Sequence, residues 1–358
     1  MLTFRSIRAR GLDVPLTQPA VTAAGTFSTF PVVLVDLQTE EGVIGSAYVF
    51  AYERLAMKPL ATLIEGVGAL LVGRTLHPLA IERLLQQRLR MLGVEGLLMM
   101  AVSGVDMAIW DATARAADVP LAVHLGAAPR PIQAYRTLKN MTPHGAAEDA
   151  ARAVAEGFAG VKVKVGGPSV ADDVAIVEAI RREVGEGIPI MVDYNQVLTV
   201  AESIARGRVL DEYGLVWIEE PTLAHDLEGH AAIAREVRTP ISVGENWNGL
   251  VDAARSIGAG ASDYIMPDAT KIGGVSGWLR TAALAEAHNI PLSGHALPEM
   301  SQHLLAATPT AHWLEYTDMI ETIVLEPMRL RDGCAIVPSR PGFGIEWDER
   351  AIGRIMAG

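Results

Sequence analysis

Seven short apolar runs between residues 161 and 316 each carry a charged or polar side chain at or near their end. They are VKVKVG at 161–166, IMVDYNQ at 190–196, VWIEEP at 216–221, ISVGEN at 241–246, YIMPD at 264–268, PLSGH at 291–295 and HWLEY at 312–316. The residues that end them, Lys164, Asp193, Glu219, Glu245, Asp268, His295 and Glu315, are 29, 26, 26, 23, 27 and 20 residues apart. Such an interval holds one strand, one helix and two loops, so the pattern predicts repeated βα units. The intervening segments carry apolar residues at helical spacing. PSVADDVAIVEAIRREVG at 168–185 is one, with Ser169 where an N-cap belongs. PRPIQAYRT at 129–137 adds a strand ahead of the seven. Eight alternations close most economically as a (β/α)8-type barrel, a modified TIM barrel in an α/β chain. An open doubly wound sheet is the alternative, but it would gather its ligand at one switch point.

Residues 1–50 read as strands. VVLVDLQTEEGVIGSAYVF at 32–50 has two apolar runs joined by Glu40-Glu41-Gly42, a hairpin signal. TQPAVTAAGTFSTF at 17–30 is small, polar and Gly-containing, and reads as a loop: a plain surface connection or a lid over a site. Residues 53–118 are helical by periodicity. GLLMMAVSGVDMAIW from Gly96 is broken by Asp106 and too short to span a bilayer, so it reads as a buried helix. These boundaries predict an N-terminal α+β capping domain at 1–128 and the barrel at 129–318. A C-terminal segment at 319–358 would pack back on the capping domain.

Composition narrows the function classes. Half of the 358 residues are hydrophobic, enough for a large core. The formal charge of −12 and the lack of any Lys/Arg run argue against nucleic acid and membrane as partners. Cys334 is the sole cysteine, so no disulfide forms within the chain, which fits a reducing cytoplasm. The opening MLTFRSIRARGLDVPL shows no signal-peptide pattern.

Active sites of such barrels lie at the C-terminal strand ends. Asp193, Glu219 and Glu245 come there from three adjacent strands. Any one alone reads as a salt-bridged strand-end acid. Three together cannot all stay ionised without a cation, and an oxygen-only set suits Mg2+ better than Zn2+. Lys162 and Lys164 are two apart on one strand and share a face. That face is the barrel interior if Val161, Val163 and Val165 pack outward. Two inward ammonium groups repel, and a lysine that is neutral part of the time is a usable base. Asp268 and His295 end neighbouring strands, where a carboxylate fixes the imidazole tautomer and raises its basicity. Lys164 and His295 then approach opposite faces of a substrate held at the metal. Glu315 ends the eighth strand; buried, it would be protonated and donate to a developing enolate oxygen. His225, His230, His288, His303 and His312 lack such partners and read as structural or surface. KIGGVSG at 271–277 lacks the spacing of a phosphate-binding loop and reads as the turn into a helix.

Several longer motifs carry a resemblance. They are the KxK pair, AVSGVDMAIWDATAR at 101–115, VDYNQ at 192–196, WIEEPTLAHDLEGH at 217–230, GENW at 244–247, PDATKIGGVSGW at 267–278 and LLAATPTAHWLE at 304–315. Together they cover nearly the whole chain and resemble the enolase superfamily, within it the mandelate racemase subgroup. The resemblance implies Mg2+ on Asp193, Glu219 and Glu245. It implies Lys164 as base for the S enantiomer and His295, supported by Asp268, for the R enantiomer. Lys162 would neutralise the substrate carboxylate and Glu315 would act on it as electrophilic acid. Asn195 would bind the substrate hydroxyl and Thr137 the carboxylate. Residues 17–30 would form the specificity lid, with Tyr52 in a second lid loop. Where the subgroup's racemase has aliphatic pocket residues, this chain has Ala20, Ala296 and Thr317, and Phe27 is larger than its counterpart. That predicts a wider, slightly more polar pocket. A small carboxylate substrate and a homo-oligomer, often an octamer, are also implied.

The leading expectation is therefore racemisation of mandelate or a related 2-hydroxy acid by 1,1-proton transfer through an enolate. The second is dehydration of a sugar acid to a 2-keto-3-deoxy acid, with His295 as general acid. The third is a non-catalytic binding protein that kept the fold.

Overall fold

The computed structural model describes residues 1–22 and 25–357, with the side chains of 20–26 and 357 outside that description. Three antiparallel strands open the chain: β1 (Phe4–Thr22), β2 (Gly25–Thr39) and β3 (Ile44–Phe50). The Glu40-Glu41-Gly42 turn joins β2 to β3, with Gly42 in the left-handed region. The stretch 17–30 is not the irregular loop its composition suggests. Its backbone continues the β1–β2 ladder through Ala20↔Phe27 to Thr22↔Gly25, after a register shift beyond Pro15. Threonine and valine along it favour the extended backbone over the Gly and Ala that suggested a loop. The described residues on either side thus form a two-stranded arm.

Helices Arg54–Ala69, Pro78–Leu89 and Gly96–Ala116 follow. Gly96–Ala116 is long and apolar enough to cross a membrane by length and composition, yet most of it is buried. It lies between β3 and the barrel helix Gly274–Ala287. Gly45 of β3 sets the closeness of that packing, since a Cβ there would stand 2.1 Å from Ala108 O.

The barrel strands are β4 (Ile132–Thr137), β5 (Gly160–Lys164), β6 (Ile190–Asp193), β7 (Ile218–Glu219), β8 (Ile241–Val243), β9 (Tyr264–Ile265), β10 (Leu292–Gly294) and β11 (Ala311–Tyr316). All run parallel in chain order, and β11 pairs with β4 through Leu314↔Ala134, Glu315↔Tyr135 and Tyr316↔Arg136. This seam makes the sheet a closed barrel and excludes the open alternative. The valines of β5 are buried in the main core. Lys162 points inward above a floor of Tyr135, Met191, Trp217 and Trp313, its Nζ 5.6 Å from the Tyr135 ring centroid. Capping boxes start two barrel helices, Ser169 with Asp172 and Thr199 with Glu202.

The C-terminal segment divides its contacts. Cys334 and Ala335 pair antiparallel with Gln133 and Ile132 at the base of β4. Further on, Trp347 Nε1 donates to Asp36 at 2.8 Å, and Arg10 of β1 bonds Glu349 at 2.7 Å.

Asp106, mid-helix in Gly96–Ala116, joins the capping domain to the barrel. It accepts Ser276 Oγ at 2.5 Å and Ser276 N at 3.0 Å. Burial, only partly offset by these bonds, pushes its pKa up to about 7. The folded chain therefore keeps a proton that the unfolded chain gives up near pH 4. This stability is present in full below the unfolded pKa and is lost as pH rises to about 7, on the order of 4 kcal/mol at most. Asp106→Asn should flatten this loss, seen as a smaller fall in Tm from pH 5 to pH 8. Equal slopes for both chains would refute it.

Candidate active site

The βα repeat delivers one chemical side chain per strand to the same end of the barrel. β6 and β7 pair in register at Asp193↔Glu219, and Glu219 pairs with Ser242 of β8, three residues before Glu245. The three acids are buried, and each offers an oxygen within 4.8 Å of the others. Burial raises the Asp193 pKa despite Lys162 and Lys164. Three desolvated carboxylates this close are the donor set of a hard divalent cation, so the residues fit Mg2+. Asn195 holds Asp193 through its backbone N–H at 2.7 Å and Nδ2 at 2.9 Å. Its left-handed backbone (φ 43°) turns it back over the strand end.

Lys162 donates to Glu219 at 2.6 Å and lies 2.8 Å from Glu315. Burial opposes its charge, but these two carboxylates hold its pKa well above the usual lysine range. The expected mutual repulsion therefore does not free a proton from Lys162, because its neighbours are anions. Lys164, one turn of the pleat further on, is partly exposed and lines the cavity.

His295 follows β10. Its Nδ1 lies 2.9 Å from Asp268 Oδ2, and its Nε2 lies 3.1 Å from Glu245. Burial disfavours the charged ring, but Glu245, Glu315 and Asp268 push its pKa well up. Tyr52 reaches the same pair from the capping domain. Its hydroxyl donates to Asp268 Oδ2 at 2.7 Å, and Lys271 Nζ sits 3.7 Å over its ring.

Glu315 corrects the sequence reading. Burial alone would protonate it, but Lys162 and His295 and the hydrogen bond from Thr137 bring its pKa down to about 2. Ala296 N donates to its other oxygen at 2.9 Å. Lys162, Thr137 and Ala296 all donate to it, so burial alone does not set its charge.

These side chains enclose a cavity of about 480 Å3. Of the residues singled out in the sequence, Lys162, Lys164, Asp193, Glu245, His295 and Glu315 line it. So do Asn195, Thr137, Tyr52, Phe27, Ala296 and Thr317. Glu219 and Asp268 lie behind the lining, against Lys162 and His295. Ala20 lies outside the described side chains. The pocket is less polar on one side than expected. Phe27, Phe30, Phe50 and Tyr52 of the capping sheet and its following loop form an aromatic wall, with Phe30 edge-on to Phe50 at 5.6 Å.

Sequence reasoning also passed over Glu220. Buried beside the metal-side acids, it is pushed up to about 8, chiefly by burial and Glu245. Asn246 Nδ2 donates to it at 2.8 Å, and Lys271 donates to Asn246 Oδ1 at 2.7 Å. The Glu-Glu doublet in WIEEP was the available signal.

The geometry has counterparts in known proteins. The family model described as mandelate racemase / muconate lactonizing enzyme, N-terminal domain, matches residues 6–126. The one described as enolase C-terminal domain-like matches residues 145–351. The chain belongs to the mandelate racemase/muconate lactonizing enzyme family. It is thus an enzyme of the enolase superfamily, whose metal is Mg2+, and its three clustered acids could hold such an ion. The chain is 36% identical over 263 residues to the L-talarate/galactarate dehydratase of Salmonella typhimurium, covering 72% of this chain and 66% of that protein. It is 32% identical to the 3,6-anhydro-alpha-L-galactonate cycloisomerase of Streptomyces coelicolor, over 93% of this chain and 94% of that one. The crystal structure of an enolase from Bradyrhizobium complexed with magnesium and mandelic acid superposes with a TM-score of 0.94. It is 41% identical, covering 99% of this chain and 98% of that one. Racemisation is thus not singled out among the family's reactions; these two relatives are a dehydratase and a cycloisomerase.

Proposed function

We propose that the enzyme dehydrates a sugar acid to a 2-keto-3-deoxy acid. The observation that carries the chemistry is that Lys164 and His295 face one cavity from β5 and β10, with the metal-side acids between them in strand order. The choice of sugar acid rests on the dehydratase and cycloisomerase relatives. Asp193, Glu219 and Glu245 would hold Mg2+, which supplies positive charge for the substrate carboxylate as an α-proton leaves.

Lys162 places an ammonium beside that carboxylate, fixed by Glu219 and Glu315. Lys164 takes the C2 proton as general base, and the C–H electron pair becomes the C=C bond of an enediolate. His295, already carrying a proton, delivers it from Nε2 to the 3-hydroxyl as the C3–O bond breaks, and water leaves. The enol then gains a proton at C3 to become the 2-keto acid. Asp268 and Tyr52 keep the ring oriented throughout. Glu315 positions Lys162 and Thr137.

A second reading is racemisation of a 2-hydroxy acid with an apolar side chain. The aromatic wall and the Bradyrhizobium complex with mandelic acid support it. In that case His295 returns its proton to C2 on the face opposite Lys164. Proton NMR in D2O with Mg2+, over R- and S-mandelate and a panel of aldonic and aldaric acids, separates the two. Dehydration predicts loss of the C2 proton with a new 2-keto acid. Deuterium at C2 with inversion and no keto acid would replace dehydration by racemisation.

A further inference from the structure

One wall of the cavity has no part in this chemistry. Lys139 lies two residues beyond Thr137 on the chain leaving β4, and Asp318 lies three beyond Glu315 on the chain leaving β11. Because β4 and β11 form the closing seam, the two meet, and Lys139 Nζ donates to Asp318 Oδ2 at 2.7 Å. Both are buried, at 9% and 6% exposure, and both line the same cavity as Lys164 and His295. Between them, Thr317 also lines the cavity, and its Oγ1 is buried without a partner among the described residues. From the arm, Thr17 Oγ1 donates to Asp318 Oδ2 at 2.6 Å and accepts from Lys139 at 3.3 Å.

A buried ion pair is a poor choice if the only task is to hold the arm down, since its desolvation cost offsets much of its attraction. An apolar contact would serve as well. What the pair offers the cavity is a donor and an acceptor side by side. A lysine ammonium has three N–H bonds, and two are taken here, by Asp318 and Thr17. Both described donors to Asp318 use Oδ2; among the described residues none reaches Oδ1. The pair as a whole is neutral. A hydroxyl fits it, accepting from the ammonium and donating to the carboxylate. A second carboxylate would gain from Lys139 but face Asp318, and an aryl ring would leave both groups without partners.

We propose that Lys139, Asp318 and Thr317 form a subsite for the uncharged, hydroxylated end of the substrate, remote from its carboxylate. The substrate class that follows is an aldonic acid, with one carboxylate and a polyol tail, in preference to an aldaric diacid. This inference rests on the sugar-acid reading above and narrows it.

The test is calorimetric titration of the full-length Mg2+-loaded protein with a set of five- and six-carbon aldonates, their terminal-deoxy analogues, galactarate and mandelate. In the unaltered protein, the best aldonate should bind more tightly than galactarate, and its terminal-deoxy analogue about tenfold or more weakly. Lys139→Met should weaken the best aldonate by about tenfold to a hundredfold and leave mandelate within about twofold. Lys139→Arg, which keeps the charge pair and folds under the same constraints, should retain part of the preference. Thr17→Val isolates the arm contact and should affect all acids alike. Equal weakening of every acid by Lys139→Met would mean that the pair only latches the arm, and would overturn the subsite. So would indifference of the unaltered protein to the terminal hydroxyl, or tighter binding of the diacid. Selective aldonate binding without any water loss would instead overturn the dehydratase reading and leave the subsite standing.

Discussion

Lys164→Ala should lose formation of the 2-keto acid by about a thousandfold or more, near the upper part of what a positioned general base contributes. No neighbour can stand in. Lys162 lies two residues away on the same face, but its ammonium is held between Glu219 and Glu315 and stays charged. Lys164 reaches the cavity with partial exposure, as a proton acceptor must. The companion variant His295→Asn gives the contrast. Under dehydration it should abolish keto-acid formation yet still let Lys164 exchange the C2 proton with D2O. NMR therefore sees deuterium at C2 without product from one variant and neither signal from the other. Loss of exchange in both to the same degree would sink the division of labour between base and acid.

The second large effect is on the metal. Glu219→Gln keeps the side-chain volume and the contact available to Trp217 Nε1, 2.9 Å away, but removes one of three negative charges. Mg2+ affinity should fall by about a hundredfold or more, with turnover at millimolar Mg2+ lost accordingly. The readout need not involve turnover. An ion that binds only the folded chain raises Tm with its concentration. Mg2+ should therefore stabilise the unaltered protein, where it relieves three desolvated carboxylates, and leave Glu219→Gln nearly unmoved. An equal Mg2+-dependent rise in both would mean that Glu219 is not among the ligands.

The barrel and its chemical end were readable because both follow from local rules repeated along the chain. An apolar run of four or five residues makes a strand, and the polar residue that stops it must sit at the strand's solvent-facing mouth. That reasoning places Asp193, Glu219, Glu245 and His295 without any knowledge of neighbours. It fails where a property depends on who the neighbours are. Glu315 was expected to hold a proton because it is buried; Lys162, 2.8 Å away, pulls its pKa down instead, and no spacing rule conveys that distance. Lys139 and Asp318 look like unremarkable loop residues until the seam joins positions 179 apart in sequence. Phe30 closed a stretch read as a loop and Phe50 ended a predicted strand, and only the placement of the capping sheet over the barrel mouth turns them into a pocket wall. The arm at 17–30 was misread because composition was weighed above the strand propensity of its threonines and valine.

The β4–β11 seam also orders events in time. A chain synthesised from its N-terminus presents Asp193, Glu219 and Glu245 before it presents Asp268, His295 and Glu315. Asp193, Glu219 and Glu245 are thus translated before His295 and Glu315, and the strand that supports Glu315 against Thr137 comes last of the eight. Until that last strand docks beside the first, the nascent protein has a collection of acids but no enclosed place to put a substrate.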